Sequence, residues 1–294
     1  MSWGRLYEGE PIRPPAEAGS AILQLTVGCP YASCTFCGAY QGVAFRVRGP
    51  AEFREHAAAV ARVGPGDGRR VFFADGDSLV LPTARLLEAI ALTREVLPTA
   101  RRFSAYAGAA GLLAKSEAEL RALKEAGLNT LYLGLESGSE EILRQCGKYC
   151  TAAAMVEAVR RAQAAGLRVS VMVLLGLGGV DDSREHAWAT AAALNAMQPR
   201  LLSVLTLMLV PGTPLAEDAR AGRFRLPGPA GMLVELRDLV AALALERTVF
   251  TANHASSWLP LEGALPRDRD RLLATIDAAL AGALPLMPDV LRGL

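Results

Sequence analysis

Cys29, Cys34 and Cys37 stand within the run TVGCPYASCTFCGAY, at a spacing of C-x4-C-x2-C. Thiolates this close in sequence can hold one metal centre, but three of them cannot close it. An iron–sulfur cube takes four ligands and is usually held by four cysteines. With three, one iron is left open to a group that is not a side chain. Two other readings are open from the spacing. A structural zinc site wants four closed ligands. The other cysteines, Cys146 and Cys150, are distant in sequence, and His56, His186 and His254 show no zinc-finger spacing. Structural thiols, with a disulfide among them, fit poorly in a chain that carries no mark of export.

The elements that must position these thiols alternate. Strands are expected at Ala21–Val27, Arg70–Ala74, Arg102–Ala107, Thr130–Leu135, Arg168–Leu175 and Leu202–Val210. Helices are expected between them at Ala51–Val63, Thr83–Leu97, Ser116–Ala126, Thr151–Ala165 and Ser183–Met197. Ser116 and Glu119 form a capping-box pattern, and Gly127 and Gly166 stand where helices stop. Strand and helix in repeated alternation demand a parallel sheet with right-handed crossovers. The apolar runs VMVLL and LLSVLTLMLV suit strands buried on both faces.

Unusual residues gather where these strands end. Cys29 follows the first, Asp75-Gly76-Asp77 the second, Glu136-Ser137-Gly138 the fourth, Gly176-Leu177-Gly178-Gly179 the fifth and Pro211-Gly212-Thr213-Pro214 the sixth. Parallel α/β folds bind ligands at the carboxyl ends of their strands. Beyond Ala216 come a Pro/Gly linker (Gly222 to Pro229), a helix from Met232 to Leu245, the strand-like TVFTA, the segment NHASS and a last helix near Arg267 to Ala281. The expected division is an N-terminal extension (1–20), a barrel core (21–215) and a C-terminal extension (216–294) packing on it.

With 294 residues, 51% of them hydrophobic, the chain can fill one large core. A net charge of +1 with no basic patch gives no reason to expect nucleic acid as a partner. The longest apolar runs are too short to span a bilayer, and the polar, Pro-containing start is no signal peptide. The expectation is a cytoplasmic protein with no membrane partner.

A three-cysteine loop after the first strand of a six-strand α/β barrel resembles the radical S-adenosylmethionine (radical SAM) superfamily, over roughly Ala21 to Leu215. The family's usual spacing is C-x3-C-x2-C with an aromatic before the last cysteine. Phe36 supplies the aromatic, while the first gap is one residue longer. LGLESG, LLGLGG and VPGTPL look like the fourth-, fifth- and sixth-strand motifs of the elongator-catalytic-subunit, methylthiotransferase and coproporphyrinogen-dehydrogenase branches. CTFCGAYQGVAFRVR, DGDSLVLP and ANHAS look like stand-alone members with no assigned reaction.

The resemblance implies a partial, TIM-barrel-like (β/α)6 fold and a 4Fe–4S cluster on Cys29, Cys34 and Cys37. S-adenosylmethionine would chelate the fourth iron and be cleaved to methionine and a 5′-deoxyadenosyl radical. Phe36, Gly38 and Tyr40 would face the adenine, as would Leu175, Gly176, Leu209 and Val210. Asp75, Gly76 and Asp77 match the motif that holds the methionyl amino group. Glu136 would accept hydrogen bonds from the ribose or amino group, and Ser137 and Lys148 would meet the carboxylate. Tyr106, Arg46, Asn253 and His254 are candidate substrate contacts, and Arg48 alternates with Arg46 on the strand-like FRVR. Each has a plainer reading: core packing, a turn with capping acids, an exposed helical lysine, a solvated face. Cys146 and Cys150 read as packing residues, and His56 and His186 fall on helix positions expected to face outward.

The function expected from this set is hydrogen abstraction from a small molecule, with a low-potential donor such as flavodoxin or ferredoxin. The alternatives are a carrier or chaperone that binds cluster and S-adenosylmethionine without turnover, and a stand-alone enzyme modifying RNA or a peptide.

Overall fold

The computed structural model describes residues 6–63 and 68–293; the first five residues of the expected N-terminal extension lie outside the described residues. The chain runs through β1 (Ala21–Leu23), β2 (Thr26–Val27), β3 (Arg46–Val47), α1 (Pro50–Val63), β4 (Arg70–Phe73), α2 (Thr83–Val96), β5 (Arg102–Tyr106), α3 (Ala109–Leu113), α4 (Glu117–Glu125) and β6 (Leu128–Glu136). It continues through α5 (Glu140–Gln145), α6 (Ala152–Ala164), β7 (Arg168–Leu175), α7 (Ser183–Met197), β8 (Leu201–Thr206), α8 (Pro214–Arg220), α9 (Pro229–Ala242), β9 (Thr248–Ala252), β10 (Leu261–Leu265) and α10 (Arg269–Leu280). This is an α/β fold with a mostly parallel eight-stranded sheet, as a partial barrel of the expected class requires.

Contacts divide the chain into two compact units. One comprises Met1–Ala32, Ala39–Leu133 and Arg160–Val169; the other comprises Ser33–Gly38, Gly134–Val159 and Ser170–Leu294. In the first unit β1, β4 and β5 pair in parallel, and β5 pairs with β6 as far as Tyr106 opposite Tyr132. Its core holds Phe53, Phe72, Phe73 and Phe103, all but inaccessible to solvent. In the second unit β7, β8 and β9 pair in parallel, and β10 closes antiparallel on β9. Helices α7 and α9 pack together there.

Two expected strands differ from the observed ones, each for a physical reason. Ala21–Val27 is broken after Leu23. Gln24 donates its backbone N–H to His56 Nε2 at 3.0 Å, and Arg48 N–H reaches Leu25 C=O at 3.0 Å. The chain then switches from parallel pairing with β4 to antiparallel pairing of β2 with β3. The strand expected to run to Val210 ends at Thr206. Its last residues stay apolar because Leu207 and Leu209 pack in a cluster with Ile142, Cys146, Leu177, Leu215 and Phe36. The capping box forms as its residues demand, with Ser116 and Glu119 bonded reciprocally at the start of α4. Helix α9 starts ahead of Met232 because Pro229 occupies its first turn. No helix among the described residues is long and apolar enough to cross a membrane.

Candidate functional site

The expected site residues fall in both units, and each group has its own construction. In the second unit, the segment 33–38 is strung between two neighbours. Thr35 N–H donates to Cys146 C=O at 2.8 Å, Leu215 N–H donates to Thr35 C=O at 3.0 Å, and Ser33 Oγ donates to Gly147 C=O at 2.7 Å. Phe36 lies partly buried on the apolar cluster of Cys146 and Leu215, against which Leu209 also packs. Gly38 sits so close to Val210 that a Cβ there would lie 2.6 Å from Val210 Cγ1.

Cys34 belongs to a charged group. Burial pushes its thiol up to about 12, opposed by the nearby Lys148 ammonium and reinforced by Glu136. Lys148 Nζ pairs with Glu136 Oε1 at 3.1 Å, and the lysine side chain is only 9% exposed. It follows the end of α5 and lies outside any helix, so it is not an exposed helical lysine. Burial works against its ammonium, yet the Glu136 carboxylate outweighs it and holds the pKa above the usual lysine range. Glu136 adopts a left-handed backbone, with φ of 63°. That conformation is rare for a residue with a side chain and costs about 1–3 kcal/mol. Ser137 is fully buried, and its Oγ accepts from Ser139 N–H at 3.0 Å.

Two buried residues that the sequence did not single out brace this group. His186 on α7 places Nδ1 2.8 Å from Glu235 Oε1 and Nε2 3.2 Å from Glu136 C=O. Glu235 on α9 also accepts from Gly176 N–H at 2.7 Å and from the Ser183 hydroxyl. His186 and Glu235 are each 1% exposed, so the expectation of an outward His186 is overturned. Its helix carries buried residues at Ala187, Thr190, Ala191, Leu194 and Met197, and the histidine lies on that face. The apolar repeat is legible in the sequence, but a histidine on that stripe is buried only with a partner, Glu235, that lies far away in sequence.

In the first unit, Gly76 lies directly against Cys29. A Cβ on Gly76 would be 2.5 Å from Cys29 Cα, and Gly76 N–H donates to Gly28 C=O at 3.1 Å. Asp75 is buried, with φ of 69°. Its carboxylate accepts from Gln24 Nε2 at 3.0 Å and Gly28 N–H at 3.2 Å, and burial raises its pKa to about 6. Asp77 caps the short turn at Ser78–Val80 through Leu79 N–H at 2.9 Å and also accepts from the Tyr31 hydroxyl. Burial raises its pKa as well. Both acids therefore shape the loops next to Gly28, Cys29 and Tyr31. Tyr40 is partly buried, and its C=O accepts from Val43 N–H.

The candidate substrate residues divide. Tyr106 meets Phe72 and Tyr132 edge-on, with ring centroids 5.1 Å and 6.2 Å away. Arg46 is already matched by Glu8 and Glu52, and Arg48 by the same two carboxylates while buried. The two arginines thus form an ion network with Glu8 and Glu52. His254 Nδ1 accepts from Ser256 N–H at 3.1 Å, a local turn contact, and Asn253 is exposed. Leu175 lines a cavity of about 10 Å³ with Thr206, Met232 and Ser257. That volume admits about one water. His56, also expected to face outward, is buried with Nε2 on Gln24. Cys146 is buried in the apolar cluster, as a packing residue should be.

The sequence matches the radical SAM superfamily over residues 23–215, about two thirds of the chain. The chain belongs to the radical SAM superfamily. The heme chaperone HemW of Bacillus subtilis is 27% identical over 183 residues, covering 62% of this chain and 47% of that protein. The chain therefore spans about half the length of this curated relative. A methylornithine synthase structure superposes with a TM-score of 0.51 at 19% identity, covering 88% of this chain and 81% of the other. Coproporphyrinogen III oxidase (HemN) from Escherichia coli gives 0.54 at 18% identity, covering 77% and 54%. At these identities the likeness is one of fold.

Radical SAM membership implies a 4Fe–4S cluster and S-adenosylmethionine. The residues present fit such a group. None of the three loop cysteines is in a disulfide. Gly76 and Gly38 carry no side chain where Cys29 and Val210 already fill the space a Cβ would need, so the chain packs closely at both ends of the cysteine loop. Among the described residues no three His, Cys, Asp or Glu side chains gather as the ligands of a single ion; a cube instead asks each thiolate to hold a different iron.

Proposed function

We propose that this chain is a radical SAM enzyme in which Cys29, Cys34 and Cys37 hold three irons of a 4Fe–4S cluster. The fourth iron is left to the amino and carboxylate groups of S-adenosylmethionine. When bound, the cluster supplies the low-potential electron that splits S-adenosylmethionine into methionine and a 5′-deoxyadenosyl radical. The observation that carries this reading is the Lys148–Glu136 ion pair set against Cys34. A cation and a carboxylate beside a cluster ligand suit the two charged ends of an amino acid.

The chain's own residues then have these roles. Glu136 accepts from the amino or ribose groups, and Lys148 both pairs with that carboxylate and offers a charge to the methionyl carboxylate. Gly76 gives the cluster loop a close backbone approach at Cys29. Phe36, Gly38, Leu209 and Val210 form the apolar flank for adenine. Asp75 and Asp77 fix the backbone that presents Gly76, and Ser137 fixes the turn after Glu136. Tyr106 faces the substrate, which we take to be a small molecule that loses a hydrogen atom to the radical. A flavodoxin or ferredoxin in the same cytoplasm supplies the electron. Anaerobic reconstitution tests this directly. About four irons per chain and a cluster signal shifted by S-adenosylmethionine are expected, with both lost in Cys29→Ala and Cys37→Ala. Retention of the cluster in either variant overturns the ligand assignment.

A second reading is a carrier that holds cluster and S-adenosylmethionine without turnover. The similarity to a heme chaperone favours it. Titration with heme distinguishes the two: saturable, stoichiometric binding together with no 5′-deoxyadenosine supports the carrier.

A further inference from the structure

We propose that His186 and Glu235 are positioning residues of the S-adenosylmethionine cradle, a pair that fixes the backbone at the ends of β6 and β7. The inference rests on the radical SAM reading above. The pair spans two helices, α7 and α9, and each of its members holds a backbone group at a strand end. His186 Nε2 meets Glu136 C=O at 3.2 Å, and Glu235 Oε1 meets Gly176 N–H at 2.7 Å. Both backbone positions are left-handed, with φ of 63° at Glu136 and 84° at Gly176. A side chain aimed by a strained backbone keeps its aim only while something holds that backbone.

The hydrogen-bond inventory fixes the protons. A carbonyl oxygen only accepts, so Nε2 must donate to Glu136. Gly176 N–H only donates, so Oε1 must accept from it. One further proton lies between Nδ1 and Oε1, 2.8 Å apart. The remaining oxygen of Glu235 is taken by the Ser183 hydroxyl. The pair is therefore fully satisfied, buried and net neutral in either placement of that proton. Glutamine at 235 cannot do the same. Its oxygen at the inner position would require Nδ1 to donate, leaving a neutral imidazole without a proton for Glu136. Its nitrogen there would face the Gly176 N–H. One clamp must open.

The test compares wild type, Glu235→Gln and His186→Gln, all reconstituted, by equilibrium dialysis of S-adenosylmethionine, steady-state kinetics of its cleavage, iron content and thermal melting. The expected result is wild-type iron, a folded protein and S-adenosylmethionine affinity and KM weakened by about tenfold or more, with kcat changed by less than about threefold. A purely structural pair would lower the melting temperature and leave KM alone. Wild-type affinity and KM in both folded variants, or loss of the fold in both, overturns the proposal. A wild type that binds no S-adenosylmethionine at all would instead bring down the radical SAM reading, and this inference with it.

Discussion

Replacing Gly76 by alanine puts a methyl group where the cluster loop already is. Its Cβ would lie 2.5 Å from Cys29 Cα, 2.7 Å from Cys29 Cβ and 2.9 Å from Gly28 O. Carbon atoms pack at about 3.5–4.0 Å, so the backbone of Cys29 must retreat by about 1 Å. No flexible side-chain end is available to absorb the strain, because the atoms struck are backbone and the ligand's own Cβ. Overpacking of this kind costs about 1–3 kcal/mol, or roughly 2–10 °C in melting temperature for a chain of this size. The chemical cost is larger, since a displacement of about 1 Å at a reacting centre is worth about 10²-fold in rate. Iron content, thermal melting and the rate of 5′-deoxyadenosine formation should be measured together, with Gly19→Ala as control because nothing lies within 4 Å of its Cβ. Gly76→Ala should melt slightly lower and lose most of its iron or its rate. Full iron and an unchanged rate would refute the close approach as a requirement of the site.

Three further outcomes follow from the same geometry. Gly38→Ala should destabilise through its 2.6 Å clash with Val210 Cγ1, and Val210→Ala should relieve it; a double-mutant cycle should show a coupling of about 1–2 kcal/mol by chemical denaturation. Lys148→Met leaves the Glu136 carboxylate without its cation; S-adenosylmethionine affinity should drop at least about tenfold at unchanged iron content, read by equilibrium dialysis. Burial depresses the His56 pKa from 6.5 to about 4. The unfolded chain then binds the extra proton between those values, and stability is lost as pH falls through that window. Asp75, raised from 3.8 to about 6, works in the opposite direction, losing stability as pH rises through its own window. His56→Gln should therefore gain stability relative to wild type as pH falls from 6.5 toward 4, by up to about 3 kcal/mol; a difference that is flat with pH would contradict the burial assigned to His56.

The parallel strands and their helices were legible because burial on both faces writes continuous apolar runs. Arg168–Leu175 and Ser183–Met197 have the boundaries that their periodicity predicts. The break after Leu23 was not legible, since the bond from Gln24 to His56 joins residues 32 apart in sequence. Strand β10 was missed because LEGAL lacks β-branched residues and owes its pairing to β9. Within the candidate site, the cysteines stood out by type and spacing, Gly76 and Glu136 by their place at strand ends, and Lys148 only through the family resemblance. Arg46 stood out equally, and only the folded chain reveals that Glu8 and Glu52 already neutralise it. His186 and Glu235 were hidden for the converse reason: each reads alone as a surface residue, and their partnership spans 49 positions.

The proposal that this chain generates a 5′-deoxyadenosyl radical can be put to one anaerobic measurement. Reconstituted protein is reduced with dithionite, given S-adenosylmethionine, and assayed for 5′-deoxyadenosine and methionine by mass spectrometry, with Cys34→Ala alongside. Both products in the intact protein and neither in the variant is the predicted result. A loaded cluster that binds S-adenosylmethionine and yields no product, or equal product from Cys34→Ala, would contradict it.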